Sequence, residues 1–260
     1  MLIGGEQGPL PPFGHVRIWS TFRVDWRCRS AGRGRRRGRG QARPGRRALG
    51  GRALHLAGLQ LLPAADALLG KLAERPDIVA LSFHIDYWDY IGWKDRFATK
   101  ETTARQRAYA RTLRQKYVYT PEMVVDGRVH QPGITTGQIE SMLADARRQS
   151  AARTTPLLKR MADGTLRIAL DAAKIDGAAD VTLFVYDRRH ATPVQRGENE
   201  GRRLDNFNVV RRFEVLGPWN GAQAHWDVAA DRFQPEQGLA VIVQRADQGP
   251  VLGCARLEPL

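Results

Sequence analysis

The sequence predicts two folded units behind an unstructured leader: an α/β domain over about residues 50–152, then an antiparallel, sandwich-like β domain over 153–260. Three observations predict this. Residues 1–49 contain RCRSAGRGRRRGRGQARPGRR and show no apolar periodicity, so they cannot bury enough surface to offset the entropy of ordering and are expected to be disordered. From Ala64 to about 151, helical stripes alternate with short apolar runs, the signature of a small α/β domain. After Thr155 the apolar period falls to two, interrupted by Gly, Asp and Pro, which predicts several short antiparallel strands.

The elements follow in order. Ala67, Leu68, Leu69, Leu72 and Ala73 form a helical stripe that Pro76 ends. The run IVALSFH, Ile78 to His84, is apolar and rich in strand formers, and reads as a buried parallel strand. DYWDYIGWKDRF is an aromatic and acidic loop, residues 101–115 are a second helix, and YVYTPEMVVDGR runs from a strand into an Asp126-Gly127 turn. A helix over about 137–151 closes this half. TLRIALDA, ADVTLFVYDRR, NFNVVRRFEVLG, AQAHWDVAA, GLAVIVQRAD and PVLGCARLE supply the strands of the second half, with the boundary near residues 152–164. The α/β half lacks a strand before its first helix. Gly50–Leu56 is the segment expected to serve, although glycine weakens strands and a buried Arg52 is costly.

Charge is concentrated in the leader. The 260 residues carry a formal +14, yet residues 1–52 alone hold 13 Arg, no Lys and only Glu6 and Asp25, a net of +11. Taken literally, the arginine tract is of the kind that holds RNA through phosphate contacts, but the remainder has no nucleic-acid-binding motif and no specific nucleic-acid partner is expected. No apolar run is long enough for a membrane span, and the N-terminus lacks the basic-then-apolar order of a signal peptide. Cys28 and Cys254 lie far apart in the chain and make neither a disulfide framework nor a metal site. Cys254, in an apolar strand, is expected to be buried and inert.

Candidate chemistry gathers after the first strand, where open α/β sheets place their ligands. His84, Asp86, Tyr87, Trp88, Asp89, Trp93, Lys94 and Asp95 fall there. They lack a fixed ligand spacing, so no metal and no cofactor are expected, and a substrate-lining or structural role is assigned to Asp86, Tyr87 and Trp88. The arginines of helix 101–115 read as a solvated face, and RGENEGRR, 196–203, as a charged loop.

The strings PAADALLGKLAERPD, ALSFHIDYWDYIGWKDRF, ARQRAYA, YTPEMVVDGR, RGENEGRRL and LGPWNG together resemble a family of bacterial secreted proteins of unknown function, with a thioredoxin-like domain followed by a β-rich one. The resemblance covers roughly residues 63–260. It implies a thioredoxin-like fold for the first domain, export to the periplasm or beyond, and thiol–disulfide exchange in intact relatives through a Cys-x-x-Cys pair ahead of the first helix. Here Leu59 and Leu62 occupy those positions. Back-translated with suitable third bases and read one base along, Gly50–Ala64 becomes VVELFTSQGCSSCP, so everything before about Pro63 reads as out of frame. Leucine offers no nucleophile, and a chain of this sequence is expected to be redox-inactive; made as written, it is expected to stay in the cytoplasm. The resemblance further implies a cis Thr120-Pro121 bond beside the Cys-x-x-Cys site, where an extended peptide or a protein thiol would dock. The alternative to an oxidoreductase is a non-catalytic module that holds extended peptides.

Overall fold

The computed structural model describes residues 14–19, for which the backbone alone is treated, and residues 64–87, 89, 95–132, 135–149, 154–193 and 203–258. Gly14–Trp19 forms strand β1, although it lies in the stretch expected to be disordered. β1 runs parallel to β2 (Ile78–Phe83) and antiparallel to β3 (Glu122–Val125). Arg17 within the short run hides it from a reading of local pattern, and two neighbouring strands impose its extended form. The rest of residues 1–49, and Gly50–Leu56, lie outside the described residues.

β3 turns into β4 (Val129–Pro132) through Asp126 and Gly127, whose φ angles of 52° and 65° are those of a type I′ turn. The Arg128 N–H closes that turn on the Val125 carbonyl at 3.0 Å. A side chain at Gly127 would overlap the Gly249 carbonyl, so close approach as well as φ requires glycine there. Beyond helix α3 (Thr136–Arg148) come β5 (Leu157–Arg160), β6 (Leu166–Leu170), the long β7 (Ala179–Pro193) and β8 (Arg203–Trp219), β9 (Ala224–Val228), β10 (Gly238–Arg245) and β11 (Val251–Leu257). Helix α1 covers residues 64–73 and α2 spans Lys100–Thr112.

These strands correct the predicted fold class. There is no separate thioredoxin-like α/β domain followed by a β sandwich; the molecule is mostly β and is built on one barrel-like sheet of eight strands, ordered β11-β10-β7-β8-β2-β1-β3-β4. β8 pairs in parallel with β2, Ser82 opposite Val209, and so carries the sheet from one expected unit into the other. A second sheet, β5-β6-β9, has three strands. Local periodicity fixes strand identity but not partner choice, and β8 is long enough to pair with β7 along most of its length while its middle meets β2.

Packing follows from alternation on the large sheet. Val79, Leu81 and Phe83 of β2 share one core with Phe184 and Tyr186 of β7 and Ile242 of β10, beneath Tyr109 of α2. On the other face, Ile78 and Ala80 pack with Leu69 and Leu72 of α1 and Leu143 of α3. Further along that sheet, Val181, Leu183 and Val241 are covered by Ile168 of β6 and Trp219. The cores of β2, β7 and β10 are fully excluded from solvent, and each buried aliphatic or aromatic side chain contributes about 1.5–3 kcal/mol.

Helix α2 is fastened at both ends. A capping box at its start has the Thr102 N–H on Thr99 Oγ1 and the Thr99 N–H on Thr102 Oγ1, both at 3.1 Å. Thr102 Oγ1 also donates to the His84 carbonyl at 2.5 Å, tying the helix to the end of β2. Further along, buried Arg105 donates to Gln244 Oε1 of β10 at 3.0 Å and lies 5.1 Å from the centre of the Phe184 ring.

Candidate functional site

The parallel strands β1 and β2 end together, with Trp19 opposite Phe83, and antiparallel β3 begins beside them with Glu122 opposite Trp19. Pro132 of β4 pairs with Glu122 on the outer side. The Thr120-Pro121 bond that leads into β3 is cis. Pro121 is buried and Thr120 half-buried.

Glu122 heads a strand of otherwise apolar residues, EMVV, and its side chain is fully buried. Two amides hold it. Gln106 Nε2 of α2 donates to Glu122 Oε2 at 2.9 Å and to the Tyr119 carbonyl at 2.8 Å, and Gln115 Nε2 donates to Glu122 Oε1 at 2.5 Å. Among the described residues no arginine or lysine pairs with it; His130 Nδ1 stands 4.0 Å away. Burial pushes the Glu122 carboxyl up to about 7, against the pull of the Gln106 and Gln115 hydrogen bonds. Amide orientation follows charge. With Glu122 ionised both glutamines donate; with it protonated one amide can turn and accept the new O–H through Oε1, an atom that in both glutamines is buried without a hydrogen-bond partner.

Outside this carboxyl lies a half-exposed layer. Tyr119 OH and His130 Nδ1 share a hydrogen bond of 2.6 Å, and burial moves the imidazole below its ordinary range, so neutral His130 accepts from the phenol. Tyr117, 63% exposed, stands edge-on to Tyr119 at 6.2 Å. β4 is the last strand of the sheet, its residues exposed or half-exposed, so its outer N–H and C=O groups face away from any strand among the described residues.

The expected site residues separate into three groups. Tyr87 joins the Glu122 cluster: its phenol is raised above the ordinary range by burial, and it lies against the Gln106 and Thr120 side chains. Asp86 faces α2, where its N–H donates to Thr103 Oγ1 at 3.0 Å and Thr103 Oγ1 donates back to Asp86 Oδ1 at 2.7 Å. Leu59, Leu62 and Trp88 lie outside the described residues, as do Trp93, Lys94 and most of RGENEGRR. His84 and Asp95 form their own buried pair, His84 Nδ1 to Asp95 Oδ2 at 2.6 Å, with Asp95 Oδ1 accepting the Phe97 N–H at 2.8 Å.

Glu122, Gln106, Gln115, Tyr119 and His130 were not singled out by sequence reasoning. One signal was present, a lone carboxylate at the head of an apolar strand directly after Pro121. Among the described residues no group of three or more His, Cys, Asp or Glu side chains is arranged to hold a metal. A cavity of about 360 Å³ lies elsewhere, on the small sheet beside Arg167, Ala169 and His225, and Arg167 is engaged with Asp227 at 2.7 Å.

The fold and site define a mostly β protein with a buried, amide-held carboxyl beneath an exposed edge strand. The chain belongs to a family described as a protein of unknown function (DUF1223), whose model matches residues 58–244. It is similar in fold to the crystal structure of protein AGR_C_4864 from Agrobacterium tumefaciens, at 24% identity and a TM-score of 0.72, covering 95% of this chain and 94% of that one. No curated protein matches it.

Proposed function

We propose that this chain is a binding module for extended polypeptide, docking along β4 beside Thr120-Pro121, and that it performs no dithiol chemistry. The observation that supports the reading is the exposed edge of β4, which carries His130 against Tyr119 and pairs with the strand that follows the cis bond. An edge strand offers a row of backbone donors and acceptors that an added strand can satisfy, while neighbouring side chains choose the sequence. The redox half of the proposal rests on Leu59 and Leu62, which stand where the family that the chain resembles carries cysteines.

Amide hydrogen exchange of the full chain with a neutral, extended Thr/Val/Gln peptide tests the docking. Slowed exchange at residues 129–131 is expected, and exchange unchanged there sinks the reading. Insulin reduction tests the chemistry: no turnover is expected from this chain, and turnover would overturn the redox half. Sequencing the gene upstream of codon 66 tests the frame; an alternative frame encoding VVELFTSQGCSSC is the expected result. For that corrected gene the proposal includes export and disulfide exchange, checked by cell fractionation and by reductase assay against a Cys→Ser control.

A further inference from the structure

We infer that the polypeptide taken up along β4 is acidic, its carboxylates meeting a cationic stripe formed by Arg107, Arg111, Arg114 and Lys116. The inference rests on the docking reading above and adds the chemistry of the partner. Between Glu101 and Glu122 the chain has no carboxylate and five cations. One of them, Arg105, is buried against Gln244; the other four are exposed. Arg107 and Arg111, four apart on α2, share one face of the helix, and Arg114, at a φ of 53°, and Lys116 follow just past its end. Among the described residues none of the four is in an ion pair, whereas Arg75, Arg147, Arg167, Arg189 and Arg232 all are.

The stripe borders the site. Gln106 and Gln115, on the same segment as these cations, both reach Glu122. Arg107 lies close enough to Tyr87 to act on its phenol. Tyr117 follows Lys116 directly and is exposed against Tyr119. Glu122 does not offset the stripe, since it is fully buried and its burial favours the neutral acid. A peptide strand on β4 with carboxylates on its side chains would therefore gain from long-range attraction, and a basic one would be repelled. Polypeptide is favoured over nucleic acid because the edge offers backbone hydrogen-bonding groups in strand register, and the two cations within α2, Arg107 and Arg111, span only about 6 Å of helix.

Three peptides on one Thr/Val frame, carrying Glu, Gln or Lys at the same alternate positions, test this with the full chain. Residues 1–52 contain no lysine, so carbodiimide coupling of peptide carboxylates to Lys116, located by mass spectrometry, reads this site and not the arginine tract. The expected result is coupling of the Glu peptide at Lys116 in preference to Lys71, Lys159 and Lys174, with slowed exchange in β4. The triple variant R107Q/R111Q/R114Q should weaken protection of β4 by the Glu peptide about tenfold and leave the Gln peptide unaffected. Equal protection by the Glu and Gln peptides overturns the acidic preference and leaves the docking site standing. Failure of all three to protect β4 removes the docking reading and the inference together. Displacement of the Glu peptide from Lys116 by an equal concentration of single-stranded oligothymidine overturns the inference in favour of nucleic acid.

Discussion

Asp95 and Glu122 are both buried carboxyls near the same end of the large sheet, 4% and 0% exposed, yet they keep different company. Asp95 meets a histidine ring at 2.6 Å and a backbone N–H at 2.8 Å. Glu122 meets two neutral amides. Burial is nearly equal, so the difference lies in the partners. A carboxylate matched by histidine is locked into the loop that follows β2, while one matched only by amides is left to change charge near neutrality.

The largest expected effect breaks the first of these. His84→Ala leaves the Asp95 carboxylate buried without its ring partner and should cost about 3–5 kcal/mol in urea unfolding. The next sharpens the second. Glu122 is protonated in the folded state up to about 7, while an unfolded glutamic acid ionises near 4.5. Across that window the unfolded state binds fewer protons, so Glu122 makes stability fall as pH rises from 4.5 to 7, by about 3 kcal/mol, and leaves it level above. Glu122→Gln should remove that slope and raise stability at pH 8, whereas Asp95→Asn should lower it: the same chemical change with opposite signs. A wild-type slope unchanged in Glu122→Gln would refute the assignment.

His130 acts in the opposite sense, because its lowered imidazole makes stability fall as pH drops through the ordinary histidine range. For that reason the wild-type minus Glu122→Gln difference is the quantity to measure. The smallest effect expected is that of Tyr119→Phe, which removes one hydrogen bond to His130, costs about 1 kcal/mol, and shifts the His130 titration in an NMR experiment.

Much of the fold was legible as segments. β2, α2, α3, the Asp126-Gly127 hairpin and most strands after Thr155 show their periods plainly in the sequence. β1 and β5 did not, because GHVRIW and LLKR carry arginine or lysine within short runs and take their strand form from neighbours. Assembly was not legible, since nothing in NFNVVRRFEVLG says that Val209 meets Ser82. Of the site, Tyr87, Thr120 and Pro121 stood out as residues, but Gln106, Gln115 and Glu122 come together only through the docking of α2, a long-range event with no local pattern.

The large sheet also has a line along which it would tear. Between β2 and β8 the ladder is the pair Ser82–Val209, and beside it Asn208, at a φ of 45°, uses its side-chain amide to reach the Ala80 carbonyl at 2.8 Å. On either side the strands are laced by long antiparallel or parallel registers. α2 lies across this seam like a strap, buckled to the end of β2 by Thr102 and to β10 by Arg105. The two panels, β7, β8, β10 and β11 on one side and β1 to β4 on the other, are also tied through β11, where the Val251 N–H donates to the Asp126 carbonyl at 2.9 Å and Arg256 Nη1 to the Ile78 carbonyl at 3.1 Å. Tearing along the seam therefore needs both the strap and the β11 bonds to give.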